Sequence, residues 1–410
     1  MGSKFEGDVR IALDDPASFA AGHPHDQYRW LRDNAPVWFH PERDGPGFWA
    51  VTRYREVLDV SRDPRTYSSW LGGVMLADSD PGLLAGSRLM MLYQDPPDHT
   101  RYRRLVSRSF TPRAAAVWQE RIEQLAVRIV DAVAPSGGCE LVSQVAGEMP
   151  SLVVAELMGI PADDGRRLYH LTEVMHSADP SLTDEDRMQA IVEMHAYAAT
   201  TAEAKRRRPG DDLASALVHA EVDGERLSTD EFNWFFLLLV NAGGDTTRNL
   251  VAGAVEALID HPDQMARLRA EPGLVAAAVE ELLRWVSPVV HMRRTARTAT
   301  VLGGQPIAEG DKVVVFYGSA NRDPAVFADP DRLDLARTPN HHLAFGGGGP
   351  HMCLGAHFAR LEAAALLRQI ATRMTGLEPA GPVERLPSTF IAGPRRFPVR
   401  FTPGAAPAPI

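Results

Sequence analysis

The chain holds two cysteines, Cys139 and Cys353, and only the second stands where its chemistry could matter. It follows a glycine-rich run, FGGGGPHMC, from Phe345 to Cys353, a loop able to approach something flat or bulky closely. Leu354, Phe358, Leu361 and Ala365 come next at helical spacing, which puts the thiol at a helix start, where the dipole and free N–H groups favour thiolate. The run lacks the G-K-[ST] of a phosphate-binding loop, and it does not follow a strand and open a helix as a dinucleotide site should. A lone thiolate in such a loop suits axial ligation of haem iron. The alternative is a small buried core cysteine, the role that fits Cys139.

A second polar group interrupts an apolar helix. Ser228 and Glu231 form a capping box and Pro262 ends the run, which predicts a helix over about Ser228–Asp260, ~45 Å long. Its first half, FNWFFLLLV, is apolar nearly all round and should be buried on every side. The interruption, NAGGDTTRN, contains two adjacent glycines that cost about 1 kcal/mol each relative to alanine. Asp245, Thr246 and Thr247 need hydrogen-bond partners if buried. The segment is either a kink or close helix crossing, or a groove that admits a ligand beside a carboxyl/hydroxyl pair. Two further pairs have helical spacing, His99 with Arg103 and Glu281 with Arg284; alone, each is worth little more than a surface ion pair.

The rest of the sequence must position these groups. With 43 Lys+Arg against 53 Asp+Glu, the formal net charge is -10, which argues against general nucleic-acid binding. The 45% hydrophobic content fills a large core and excludes wholesale disorder. Two cysteines cannot build a disulfide framework or a four-cysteine zinc site. The first twenty residues carry acids throughout and no signal-peptide core, and no apolar stretch reaches ~18 residues, so no membrane span and a cytoplasmic location are expected. Strand signals cluster at Val37–Phe39 with Phe48–Thr52, at Val313–Phe316 and at Phe397–Phe401. Almost everything from Asp98 to Arg284 reads as helix. Length alone suggests two or three domains of ~100–200 residues. The absence of repeats or long linkers instead favours one composite domain over residues 1–410, mainly α with a small β portion drawn from both ends, and only the tail PGAAPAPI looks loose.

Four elements occur in order: DPPDHTRYRR, AGGDTT, the E-x-x-R motif as ELLR, and FGGGGPHMCLG. On these the chain resembles the cytochrome P-450 haem-thiolate monooxygenases of the soluble bacterial type, over essentially its whole length. The E-x-x-R motif is weak alone and the cysteine loop strong. The family loop usually reads F-G-x-G-x-[HR]-x-C, whereas Phe345 here lies one residue further from Cys353. Some bacterial members share this, including branched-lipid and sterol-side-chain oxidases, and it bears on contacts to the thiolate, not on the ligand itself.

The resemblance implies the cytochrome P-450 fold and a haem b cofactor with Cys353 as the iron ligand. His99, Arg103, Arg294 and His351 would bind the haem propionates, with Arg294 chosen over Arg293 by register to the Gly303-Gly304 turn. Phe345 would pack near the thiolate side. Asp245 and Thr246 would deliver protons to dioxygen, and Gly243 would leave room for it. Glu281 and Arg284, with Arg332, would form a structural network behind the haem. An apolar substrate pocket would draw on Met75, Leu76, Leu84, Met90 and Met91, on Phe236, Leu239 and Val240, on Val289 and Val290, and on Phe390 and Ile391. The implied reaction inserts one oxygen atom from dioxygen into an apolar organic substrate such as a terpenoid, steroid, branched lipid or natural-product scaffold. Electrons would come from a separate ferredoxin and ferredoxin reductase, with Arg101, Arg104 and Arg108 as a basic docking face. Two alternatives stay open: a haem-binding ligand sensor without turnover, and a haem-thiolate enzyme doing peroxide-driven, desaturation or coupling chemistry.

Overall fold

The computed structural model describes residues 9–176, 182–222, 224–385 and 387–404; the last six residues of the tail expected to be loose lie outside them. In chain order the helices are α1 (His25–Asn34), α2 (Tyr54–Arg62), α3 (Pro81–Ser87), α4 (Asp98–Ser107), α5 (Pro112–Val117), α6 (Gln119–Val133), α7 (Glu148–Met158), α8 (Ala162–His176), α9 (Asp184–Arg207), α10 (Leu213–His219), α11 (Thr229–Asp260), α12 (Pro262–Ala270), α13 (Val275–Val286), the single turn α14 (Tyr317–Ala320) and α15 (Ala356–Arg373). Among the described residues no single helix is long and apolar enough to cross a membrane.

Helix α11 organises the rest. Ser228 caps it, and both hydrogen bonds of the capping box with Glu231 are present. Its first half, Phe232 to Val240, is buried in one hydrophobic cluster with α9 and α10. Its second half, Leu250 to Leu258, is buried in another with α6, α13 and α15. The polar segment 241–249 therefore falls at the junction of two cores. The helix runs through it unbroken, and the glycines serve a close crossing. A Cβ on Gly243 would stand 2.8 Å from Val154 of α7, and one on Gly244 would stand 2.9 Å from the Tyr169 ring of α8. The space freed at Gly243 is thus taken by helix packing, which corrects its expected role of leaving room for dioxygen.

A five-stranded sheet has the order β1 (Val37–His40), β2 (Phe48–Val51), β10 (Lys312–Phe316), β7 (His291–Ala296) and β3 (Tyr67–Ser68). Strand β10 runs parallel to β2, with Val314 opposite Ala50, and antiparallel to β7, with Val315 opposite Met292. A second sheet joins β11 (Met374–Pro379), β14 (Pro398–Pro403) and β4 (Gly138–Glu140). Three two-stranded pairs complete the β portion: β5 (Glu221–Val222) with β6 (Glu225–Arg226), β8 (Thr300–Leu302) with β9 (Gln305–Ile307), and β12 (Glu384–Arg385) with β13 (Pro394–Arg396). The expected strands are thus β1, β2, β10 and β14, while β4 and the β5–β6 hairpin interrupt the stretch that reads as all helix.

Candidate active site

Cys353 stands three residues before α15, and its N–H donates to the carbonyl of Phe345 at 2.9 Å, closing the loop. Gly346, Gly348 and Gly349 have φ of 95°, 80° and 74°, conformations that side chains resist. Much of the glycine requirement is internal. A Cβ on Gly347 would stand 2.6 Å from Ser61 Oγ, and Arg62 donates to the Gly347 carbonyl at 3.1 Å, so the loop is pressed onto α2. The Phe345 ring is capped by the Arg360 guanidinium at 4.5 Å. Cys353 is exposed toward the interior crevice, yet the surrounding protein pushes its thiol up. The Gly355 N–H and the charges of Arg103 and Arg360 pull the other way. The surrounding protein thus works against the helix-start preference for thiolate, and a bound cation would stabilise the thiolate. Cys139 is pushed up to about 12 by burial and by Glu140, as a core cysteine should be.

Four basic side chains converge beside this loop. His99 and Arg103 come from α4, Arg294 from β7 and His351 from the loop itself. The His99 and His351 rings are 4.3 Å apart. His99 is buried and neither of its ring nitrogens has a hydrogen-bond partner. Arg103 donates to the Pro350 carbonyl at 3.1 Å, and Ser69 Oγ lies 3.3 Å from His351 Nε2. Burial, then the Arg103 and Arg294 charges, bring His99 down to about 4, with Asp95 opposing. Burial, Arg294, His99 and Arg103 hold His351 well below its ordinary value. Packing so many basic groups together out of water is unfavourable without anions among them. Two carboxylates, such as haem propionates, fit that need. Asp95 was not anticipated from sequence; it accepts from the Ser69 N–H at 2.8 Å and from Arg297 at 2.6 Å, tying the segment before α3 to the end of β7.

On α11, Ala242 is exposed and Thr246 half-buried although both lie mid-helix, so this stripe opens on the crevice. Thr246 Oγ1 donates to the Ala242 carbonyl at 3.0 Å, and Asn249 Nδ2 donates to the Asp245 carbonyl at 2.8 Å. Asp245 itself is buried toward α8, with its carboxylate 3.3 Å from Arg248.

Behind the cysteine loop, Glu281 and Arg284 are wholly buried and joined by two hydrogen bonds of 2.8 Å. Arg284 also donates to the carbonyls of Asn321 and Pro330, at 2.9 and 2.8 Å. The third member is Arg337, whose Nε lies 3.1 and 3.0 Å from the Glu281 oxygens. This corrects the expectation at Arg332. That side chain is exposed on the turn, and only its carbonyl takes part, accepting from Arg284 at 3.3 Å and from Arg337 at 2.9 Å.

The expected substrate residues divide. Leu76 and Val290 pack with Leu13, Phe48 and Phe316, in a cluster apart from that of Phe236 and Met90, and are core. Phe236 is fully buried between Phe232 and Tyr197, and Val240, Met90 and Met91 are buried in the same cluster. Met75, Leu84, Leu239, Val289, Phe390 and Ile391 remain half-buried. Val289 bridges to Ile391, and the Val290 N–H donates to the Phe390 carbonyl at 2.8 Å, which holds these two segments together. Met292 was missed. Strand alternation puts it on the β7 face of Arg294, half-buried against both the Phe236 and the Val315 clusters; the Arg294 register was the signal that could have found it.

A lone cysteine loop facing a basic crevice, under a helix that offers a threonine, defines a haem-thiolate site. The family model described as Cytochrome P450 matches residues 167–375. A methyl-branched lipid omega-hydroxylase of Mycobacterium tuberculosis (strain ATCC 25618 / H37Rv) is 42% identical over 406 residues, covering 95% of this chain and 92% of that protein. A steroid C26-monooxygenase of Rhodococcus jostii (strain RHA1) is 36% identical, covering 97% and 86%. The solved structure of Mycobacterium marinum cytochrome P450 CYP268A2 in complex with pseudoionone has a TM-score of 0.90 at 38% identity, covering 97% of this chain and 100% of that one. The chain belongs to the cytochrome P450 family. It is a monooxygenase whose cofactor is haem.

Proposed function

We propose that residues 1–410 form one catalytic domain that inserts an oxygen atom from dioxygen into a lipid or steroid. Cys353 ligates the haem iron, and His99, Arg103, Arg294 and His351 hold the two propionates. The observation that carries this reading is the buried basic cluster, with the His99 and His351 rings 4.3 Å apart and paired anions required among them. When bound, the thiolate-ligated haem supplies the activation of dioxygen. The protein's own part is to orient substrate, exclude water and move protons. The Thr246 hydroxyl, facing the crevice, relays protons that Asp245 takes up. Met75, Leu84, Leu239 and Met292 give the substrate adaptable apolar walls. The relatives' names, a methyl-branched lipid omega-hydroxylase and a steroid C26-monooxygenase, support a large apolar substrate over a small polar one.

Electrons come from a ferredoxin and its reductase, and the enzyme works in the cytoplasm. The reduced carbon monoxide complex tests the ligand assignment: Cys353→His should abolish the strongly red-shifted band of thiolate ligation, and Cys139→Ser should keep it. A library screen for substrate-induced haem spin change tests the substrate class. Responses confined to small charged molecules would sink the apolar site while leaving the haem assignment standing.

A further inference from the structure

We propose that Arg360 is a positioning residue: held over the Phe345 ring by Glu280 and His342, its positive charge limits how much electron density the Cys353 thiolate gives the haem iron. The three side chains then set the reduction potential of the iron, and with it how readily an electron donor starts the reaction. This rests on the haem-thiolate reading above and goes beyond it by naming what adjusts the ligand.

Glu280 and Glu281 are consecutive on α13 and therefore about 100° apart around the helix. Glu281 turns to the buried network with Arg284 and Arg337, whereas Glu280 meets α15. Arg360 Nε and Nη2 donate to the two Glu280 oxygens at 2.6 and 2.9 Å, a two-pronged pair that fixes the guanidinium in place. Its centre stands 4.5 Å from the Phe345 ring centroid, and the Phe345 carbonyl in turn accepts the Cys353 N–H at 2.9 Å. His342 braces the same carboxylate. Its Nδ1 accepts the Ala344 N–H at 3.2 Å, so the ring proton sits on Nε2, which donates to Glu280 Oε2 at 3.1 Å. The consecutive acids of α13 thus hold the segment leading into the cysteine loop. Asn340 donates to Glu281 at 3.1 Å, His342 donates to Glu280, and the His342 and Phe345 rings are 5.8 Å apart.

The charges give the direction. Arg103 and Arg360 supply the positive charges that draw the Cys353 thiol toward thiolate against burial. Arg103 would meet the propionates, which leaves Arg360 as the cation committed to the ligand itself. Burial raises Glu280, yet His342 and Arg360 together bring it down to about 2, so the acid is a fixed anion beside Arg360 across the neutral range. A cation near the thiolate stabilises its negative charge and weakens donation to iron, which favours the ferrous state; a carboxylate paired with that cation offsets it. The Arg360 and Glu280 side chains are 32% and 30% exposed, so solvent screens part of both charges and the effect is one of tuning. His342 is buried and holds Glu280 in place.

Spectroelectrochemical titration of the substrate-free holoenzyme, with small-molecule mediators and no ferredoxin, tests this directly. Arg360→Gln should lower the ferric/ferrous potential and Glu280→Gln should raise it, each by about threefold in the electron-transfer equilibrium, or ~28 mV for one electron. Arg360→Lys keeps the charge and loses the two-pronged pair, and should stay closer to the wild type than Arg360→Gln. The C–O stretch of the ferrous carbon monoxide complex should rise in Glu280→Gln and fall in Arg360→Gln, because a less donating thiolate leaves less density for the bound gas. Opposite signs separate charge from fit, since a loosened loop would shift both variants the same way. An unchanged potential in Arg360→Gln, or a shift of the same sign in Arg360→Gln and Glu280→Gln, would overturn the proposal. Where Glu280→Gln fails to fold, Arg360→Gln against Arg360→Lys stays decisive, and an equal drop in both would tie the potential to fit and overturn it as well. An intact thiolate carbon monoxide band with unmoved potentials sinks only this inference; absence of the band in the wild type sinks the haem-thiolate reading itself.

Discussion

Arg293 and Arg294 are neighbours on β7 yet serve opposite faces of the strand. Arg293 reaches Asp78 at 2.6 Å and the Leu76 carbonyl at 3.4 Å. Arg294 donates to the Arg293 carbonyl at 2.7 Å and lies close enough to His99 and His351 for its charge to lower both. Strand alternation alone separates an arginine paired with Asp78 from one that joins the His99–His351 cluster. Arg294→Gln should therefore weaken haem retention by at least tenfold, since a charge-assisted hydrogen bond contributes about 1.5–3 kcal/mol. Arg293→Gln should leave retention near wild type. Haem transfer to an acceptor protein measures both, and equal loss in the two variants would remove Arg294 from the propionate site.

The buried network around Glu281 makes a sharper distinction. Arg337 has 10% of its side chain exposed against none for Glu281. Truncating it leaves a buried carboxylate with one cation instead of two. Removing one partner of a buried ion pair costs about 3–5 kcal/mol, and the remaining Arg284 contact places Arg337→Ala toward the lower end. Arg332→Ala keeps the carbonyl that the network uses and should change stability by less than about 0.5 kcal/mol. Chemical denaturation separates the two, and a large loss in Arg332→Ala would return that side chain to the network.

These two arginine pairs also mark how far sequence reading goes. Elements defined by local chemistry were legible: the capping box of Ser228 and Glu231, the long apolar run behind it, the β-branched strands and the cysteine loop. Strand β7 was not, because His291, Arg293 and Arg294 do not look like strand residues until both faces are seen to be occupied. Arg332 and Arg337 are equally plausible on a turn, and only the path of the chain decides which guanidinium reaches back. The glycines of the cysteine loop suit close approach to something flat or bulky, while Gly347 and Gly349 also answer to Ser61 on α2. Apolar residues such as Leu76 and Val290 cannot announce whether they face a cavity or a core, since burial serves either.

Acid should loosen the start of the chain. His23 is held down to about 4, chiefly by burial and further by Arg322, while the carbonyls of Ser287 and Val286, 3.0 and 3.2 Å from its Nε2, oppose the shift. His25 is also held well below its ordinary value by burial and by Arg322, His23, Arg32 and Arg29. A histidine whose folded value lies below its unfolded one binds fewer protons when folded, so stability falls as pH drops from about 6.5 toward about 4. For His23 this amounts to roughly 3 kcal/mol over that window. The depressed carboxylates act at lower pH, whereas Glu362, pushed up to about 8 by burial, opposes the histidines across the upper part of the window, so the comparison with a variant isolates His23. Thermal unfolding of wild type and His23→Gln between pH 7 and 5 should show a shallower slope in the variant. Parallel slopes would mean that His23 does not titrate with unfolding.

The basic face of α4 is narrower than its sequence suggests. Arg103 belongs to the crevice, and Arg101 lies over the Tyr102 ring at 5.6 Å. Arg104 and Arg108, one turn apart, are the exposed pair. Arg104 lies on the helix that carries His99 and Arg103, and Arg108 follows directly at its end, so an electron donor bound there would come near the basic crevice that would hold the haem. In a protein of net charge -10, an acidic ferredoxin is repelled by most of the surface and steered to such a local positive site. The attraction is screened beyond about 8–10 Å at physiological salt, so reduction should slow as ionic strength rises. Arg104→Glu should slow ferredoxin-driven reduction severalfold and flatten its salt dependence, while substrate-induced spin change stays as in the wild type. Stopped-flow reduction measures both effects. A rate indifferent to the substitution and to salt would place ferredoxin docking on another face of the molecule.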